Sequence, residues 1–127
     1  MVSRISRAAE GLTYISETDA PFEYVELPQI DDVEPGIVAA AVGIAKGTQV
    51  AEVGLEKFFA RLLDVKDWFG PIEKEQAKKF RRLRDLLDKE LTDIKVYRFG
   101  KIRIDILILG KNRDGTVVGL RTFSVET

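Results

Sequence analysis

The sequence predicts an α+β fold, a mixed, largely antiparallel sheet covered by helices. Three observations predict it. Ala77, Phe80, Leu83, Leu87 and Leu91 recur at three- and four-residue spacing with charge on the remaining arc, the pattern of one long amphipathic helix over 73–91. Lys101-Ile102-Arg103-Ile104-Asp105-Ile106 alternates polar and apolar, the period of a half-buried strand. Asn112-Arg113-Asp114-Gly115 then separates two strand-like runs as a hairpin turn, with Gly115 placed to take positive φ.

In chain order, Val2, Ile5, Ala8 or Ala9 and Leu12 fall at helical spacing, so 2–15 reads as an amphipathic helix that Gly11 weakens and can end. The polar run 16–21 closes on Pro21 and reads as a loop, and Phe22 to Leu27 as a short strand stopped by Pro28. A second loop covers 29–36. The Ala/Val-rich stretch 37–44 suits a short helix, with a buried strand left open by its periodicity. Val50 to Val53 suits a brief strand. Leu55, Phe58, Phe59, Leu62 and Leu63 share one face of a helix over 55–63, and 64–71, with Trp68, Gly70 and Pro71, is a loop. After the long helix come strands at 94–99, 101–109 and 117–125, the last two forming a C-terminal β-hairpin. The unbroken Leu107 to Leu109 implies burial on both faces at that end. No repeat or linker is visible, and 1–127 is taken as a single domain.

Composition narrows the chemistry. With 127 residues the chain can hide roughly two-thirds of its unfolded surface without a staple. It contains 0 Cys and 0 His, which excludes disulfides, Cys/His zinc sites and Ser-His or Cys-His nucleophiles. The net charge of −1 argues against a dedicated nucleic-acid binder. That balance conceals an asymmetry: residues 1–68 carry 12 acidic and 6 basic side chains, residues 69–127 carry 9 and 14. Neither a signal peptide nor an apolar run of membrane-spanning length is visible, so the expected location is cytoplasmic.

Four features are candidates for function. Glu17, Asp19, Glu23, Glu26, Asp31, Asp32 and Glu34 occur with no intervening Lys or Arg. This is either a solvated acidic face or a surface that steers the protein toward a basic partner. Asp31-Asp32-x-Glu34 lacks the Gly and ligand rhythm of a calcium loop. Lys78-Lys79-Phe80-Arg81-Arg82-Leu83-Arg84 offers a basic stripe, but i,i+4 pairing of Glu75 with Lys79, Arg81 with Asp85 and Arg84 with Asp88 accounts for it without nucleic acid. Trp68, the only Trp, lies in a loop beside Asp67; packing explains most such residues, and binding hot spots explain others. The sequence closes on Val125-Glu126-Thr127, an oxygen-rich tip directly after a strand, and oxygen ligands suit Mg²⁺.

Three blocks resemble the nuclease A inhibitor family, small proteins that block a sugar-nonspecific endonuclease. They are Glu10 through Glu23, Phe58-Phe59-Ala60-Arg61 running to Asp67-Trp68, and Val96-Tyr97-Arg98-Phe99-Gly100 through Asp105, Gly110 and Gly119 to Val125-Glu126-Thr127. The resemblance implies a three-layer α/β/α sandwich of the PR-1-like kind, with no enzymatic activity and no cofactor of its own. It also implies inhibition by plugging a nuclease cleft, with Glu17, Trp68 and Thr127 at the family's contact positions and Glu126 beside them. Thr127 would approach the Mg²⁺ of the partner nuclease, and the free inhibitor would be a monomer. The sequence departs from the family where an acidic run is expected after Trp68. There it reads Phe69-Gly70-Pro71-Ile72-Glu73-Lys74, followed by the basic helix. An interaction module of the same fold with a non-nuclease protein partner is the alternative.

Overall fold

The computed structural model describes residues 3–64 and 70–126. Helix α1 (Arg4–Ala9) starts where the Ser3 side chain accepts the Ile5 N–H, and it stops before Gly11 at φ +80°. The expected helix over 2–15 is therefore cut short. Thr13–Ile15 instead forms β1, which pairs antiparallel with β2 (Asp19–Pro21) through a turn at 16–18. The run 16–21 is thus half of a small hairpin rather than a plain loop.

Next come β3 (Glu23–Leu27), α2 (Pro35–Ala41), β4 (Val50–Val53), α3 (Leu55–Leu63) and α4 (Pro71–Glu90). Pro35 and Pro71 open their helices, where a missing N–H costs nothing. Strands β5 (Thr92–Phe99), β6 (Arg103–Lys111) and β7 (Val117–Val125) complete the chain. The five-stranded sheet runs β3-β7-β6-β5-β4. Every pairing among the described residues is antiparallel, where a mixed sheet was expected. Short connections explain this: β5, β6 and β7 follow one another through tight turns, which reverse strand direction each time.

The sheet separates two cores. On one face, Ile5 and Ala9 of α1, Phe58 and Phe59 of α3, and Phe80, Leu83 and Leu87 of α4 pack on Val96, Ile104, Ile106, Ile108, Val118 and Leu120. On the other, Val33 and Val38 of the α2 region meet Leu27, Tyr97, Phe99, Leu107, Leu109 and Val117. The α2 layer is short, so Leu107 and Leu109 are fully buried while Arg103 and Asp105, four and two positions before Leu107 on the same face, lie outside its cover. This uneven cover is why the polar–apolar alternation holds at the start of β6 and fails at Leu107.

Two glycines are required by geometry. Gly100 turns β5 into β6 at φ +112° and donates its N–H to the Gln49 carbonyl at 2.8 Å. At Gly119 in β7 a Cβ would lie 1.8 Å from the Ile108 carbonyl oxygen. The Asn112–Gly115 turn forms as the sequence predicts. The Asn112 side chain accepts the N–H groups of Asp114 and Thr116, both at 3.0 Å, and Gly115 takes φ +82°.

Candidate functional site

The β1–β2 hairpin is held on the helical face by its own apolar residues. Tyr14 is buried, stacks on Phe58 at 5.7 Å and meets Phe22 edge-on at 6.4 Å. The guanidinium of Arg61, from α3, sits 5.7 Å from the Tyr14 ring centre. Alternation then turns Ile15 outward, where it is 65% exposed.

The hairpin lies against the end of β7. The Thr122 hydroxyl donates to the Ala20 carbonyl at 3.4 Å. Val125 donates its N–H to the Ser16 hydroxyl at 3.0 Å, and Glu17 returns its own N–H to the Val125 carbonyl at 3.3 Å. Ser16 also donates to the Thr18 carbonyl at 3.2 Å, which tightens the turn that carries Glu17.

One residue further on, Glu126 is gripped from the sheet side. Its N–H donates to the Ile102 carbonyl at 2.8 Å. Its Oε2 accepts the Ser124 hydroxyl at 2.7 Å and is ion-paired and hydrogen-bonded to the Arg98 guanidinium. The Ser124 hydroxyl bond, with the positive charge of Arg98 behind it, holds the Glu126 carboxyl below the ordinary glutamate range despite some desolvation; Arg61 adds a smaller attraction. On the opposite face of the same strand ends, the Arg103 guanidinium covers the Phe123 ring at 4.1 Å. Asp105 lies between Arg103 and Arg121 at 3.8 and 3.6 Å.

Of the four candidate residues, Glu17 and Glu126 are brought to one edge of the molecule, on opposite sides of Val125, and both are exposed. Trp68 and Thr127 lie outside the described residues. Three features of this edge were not among the candidates. Arg98 and Ser124 bind the Glu126 carboxylate. Ile102, 62% exposed, supplies a carbonyl to the Glu126 backbone. Arg98 is the arginine of the Val-Tyr-Arg-Phe-Gly block, so its place in a motif was visible although its ion pair was not.

The remaining acidic residues do not gather into a cage. Glu26 accepts the Tyr24 hydroxyl at 3.0 Å along β3, and Asp32 accepts the Val33 N–H at 2.7 Å. No group of three or more Asp or Glu close enough to hold a metal is present among the described residues. In the basic stripe, Arg84 pairs with Asp85 at 3.0 Å and reaches Glu56 of α3 at 3.6 Å rather than Asp88. Lys78, Arg81 and Arg82 stay exposed. No helix among the described residues is long and apolar enough to cross a membrane.

The family model for nuclease A inhibitor-like proteins matches residues 1–127, the whole sequence. The chain belongs to the nuclease A inhibitor-like family. The family is named for inhibition, and its name places a nuclease opposite the inhibitor. No curated protein matches the chain.

Proposed function

We propose that this protein inhibits a Mg²⁺-dependent, sugar-nonspecific endonuclease by plugging its cleft. The contact surface we assign comprises Glu17, Trp68, Glu126 and Thr127, with Thr127 approaching the metal of the partner. The observation that carries the reading is the joint at Val125, where the turn bearing Glu17 and the segment leading to Thr127 are hydrogen-bonded edge to edge. A nuclease cleft is shaped for a polyanion, so it presents Arg, Lys and a metal. Carboxylate oxygens set at two nearby points take the place of phosphate oxygens there. Trp68 adds apolar area at the contact, and Ile15 and Ile102 add more beside the acidic groups.

The same reading makes the chain a single domain of the PR-1-like three-layer class, cytoplasmic and monomeric when free, forming a 1:1 complex. The test is an activity titration of such an endonuclease. Removal of Thr127, Glu17→Ala and Trp68→Ala are each expected to weaken inhibition by about 30-fold or more, the scale of an interface hot spot. Full inhibition by all three variants overturns the surface.

One observation favours a second partner class. Exposed Lys78, Arg81 and Arg82 on α4 work against long-range steering toward a positively charged nuclease if that face points at it. A protein partner other than a nuclease is then the alternative, separated from the first by whether purified endonuclease is bound and silenced.

A further inference from the structure

Resting on the reading that Glu17 and Thr127 engage the nuclease, we infer that Arg98 and Ser124 are positioning residues of the inhibitory surface, acting through Glu126 without touching the partner. The segment that follows a last strand usually frays. Here Val125 and Glu126 are held from both sides. On the hairpin side, Val125 exchanges two bonds with Ser16 and Glu17. On the sheet side, Glu126 is fixed by the Ile102 carbonyl, the Ser124 hydroxyl and the Arg98 guanidinium.

The origin of these groups matters. Arg98 comes from β5 and Glu126 follows β7, and these strands flank β6 on either side. The ion pair therefore ties Glu126 across a neighbouring strand, while the Ile102 carbonyl, from the β5–β6 turn, extends the β6–β7 ladder by one residue beyond the Arg103–Val125 pair. Both side-chain bonds converge on Oε2 of Glu126, so the carboxylate is oriented as well as neutralised. An ion pair this exposed adds little to global stability. Its effect is local: it holds Glu126 in place relative to the turn that carries Glu17. Leaving one backbone residue to be ordered on binding costs about tenfold in affinity. A tail fixed beforehand avoids that loss.

The experiment measures the inhibition constant of Arg98→Gln and Ser124→Ala against an Mg²⁺-dependent nonspecific endonuclease, each in the full chain and in a chain lacking Thr127. In the full chain each substitution is expected to raise the constant about tenfold, and in the shortened chain by less than about twofold, because the two changes share one path. Arg98→Lys is expected to recover part of the loss. Amide exchange at Glu126 is expected to accelerate in both variants, while the thermal midpoint stays within about 2 °C of wild type. Equal losses in both backgrounds, or unaltered exchange at Glu126, overturn the clamp while leaving the contact surface intact. If removing Thr127 alone leaves inhibition unchanged, the role of Thr127 falls and the clamp's role in inhibition falls with it.

Discussion

Val125 donates its backbone N–H to the hydroxyl of Ser16 at 3.0 Å, joining positions 109 residues apart. This bond and the reciprocal one from Glu17 to the Val125 carbonyl convert an isolated two-stranded hairpin, which would be marginal alone, into a fixed extension of the β7 end. Ser16→Ala removes the acceptor and leaves the Val125 N–H without it. The expected loss is about 1 kcal/mol in a denaturant titration, with faster amide exchange at Val125 and weaker nuclease inhibition. Unchanged exchange at Val125 refutes the joint.

A second prediction concerns acid. The Ser124 hydrogen bond, then the Arg98 charge, keeps the Glu126 carboxyl below the ordinary glutamate range in the folded protein. A depressed carboxylate stabilises the fold above its unfolded pKa, and that contribution is lost as pH falls through the lower folded value. The clamp is therefore intact at neutral pH and opens only in acid, below the usual glutamate midpoint. A carbon-detected NMR titration of the Glu126 carboxyl checks this, and Ser124→Ala is expected to move the midpoint upward. No movement removes the hydroxyl as the main cause.

The fold was legible in the sequence wherever one physical signal decided a segment. Ala77, Phe80, Leu83 and Leu87 mark the buried face of α4 because a long helix averages its pattern over several turns. The 55–63 helix and the 117–125 strand match the structure residue for residue. The region 2–21 was misread for a definable reason. Ile5, Ala9 and Leu12 are buried as one helix face would bury them, but Ile5 and Ala9 belong to α1 while Leu12 follows the positive-φ Gly11 and leads into β1. Spacing alone does not separate a helix from a turn followed by a short strand. The site was less legible than the fold. Glu17 and Glu126 were singled out, yet nothing local in the sequence pairs Ser16 with Val125 or Arg98 with Glu126. Those contacts follow from strand order, which is a tertiary property.

Tyr97 offers a test of the second core. Its ring is buried between the sheet and the α2 region, and its hydroxyl donates to the Val33 carbonyl at 2.6 Å. Burial, reinforced by the nearby carboxylates Glu52, Asp32 and Glu34, raises its pKa. Tyr97→Phe leaves the Val33 carbonyl without its donor and is expected to cost about 1–3 kcal/mol in chemical denaturation. With wild-type Tyr97, the favourable contribution is complete below the unfolded tyrosine pKa and disappears as pH rises through the raised folded value. The variant should lack this component of alkaline unfolding; an identical alkaline profile argues against it.

Gly119 tests the sheet itself. A methyl group there would sit 1.8 Å from the Ile108 carbonyl oxygen and 3.0 Å from the Leu109 Cα, both backbone atoms in β6 that cannot rotate aside. Gly119→Ala is expected to cost more than about 3 kcal/mol or to prevent folding, the range reserved for overpacked core positions. At Gly36 the same methyl meets nothing within 4 Å, and φ there is not positive. Gly36→Ala should be tolerated or mildly stabilising. Similar thermal midpoints for the two variants would contradict the close approach of β6 and β7.

The exposed isoleucines give the sharpest separation of binding from folding. Ile15 and Ile102 are 65% and 62% exposed, and each belongs to a segment bonded directly to the tail: Ile15 precedes Ser16, and Ile102 accepts the Glu126 N–H. Their side chains contribute little to either core, so Ile15→Asp and Ile102→Asp should shift stability by less than about 0.5 kcal/mol. At a nuclease contact, the same changes bury an unpaired carboxylate beside carboxylates already there, which costs binding through desolvation and like-charge repulsion. Each is expected to weaken inhibition about tenfold or more, with an unchanged thermal midpoint. Ile37, 38% exposed on α2 and on the other side of the sheet, is the control, and Ile37→Asp should leave inhibition as it was. If all three variants inhibit equally well, the partner does not sit on the Val125 edge. If only Ile37→Asp weakens inhibition, the contact lies on the α2 face, and Glu17 and Glu126 have no part in it.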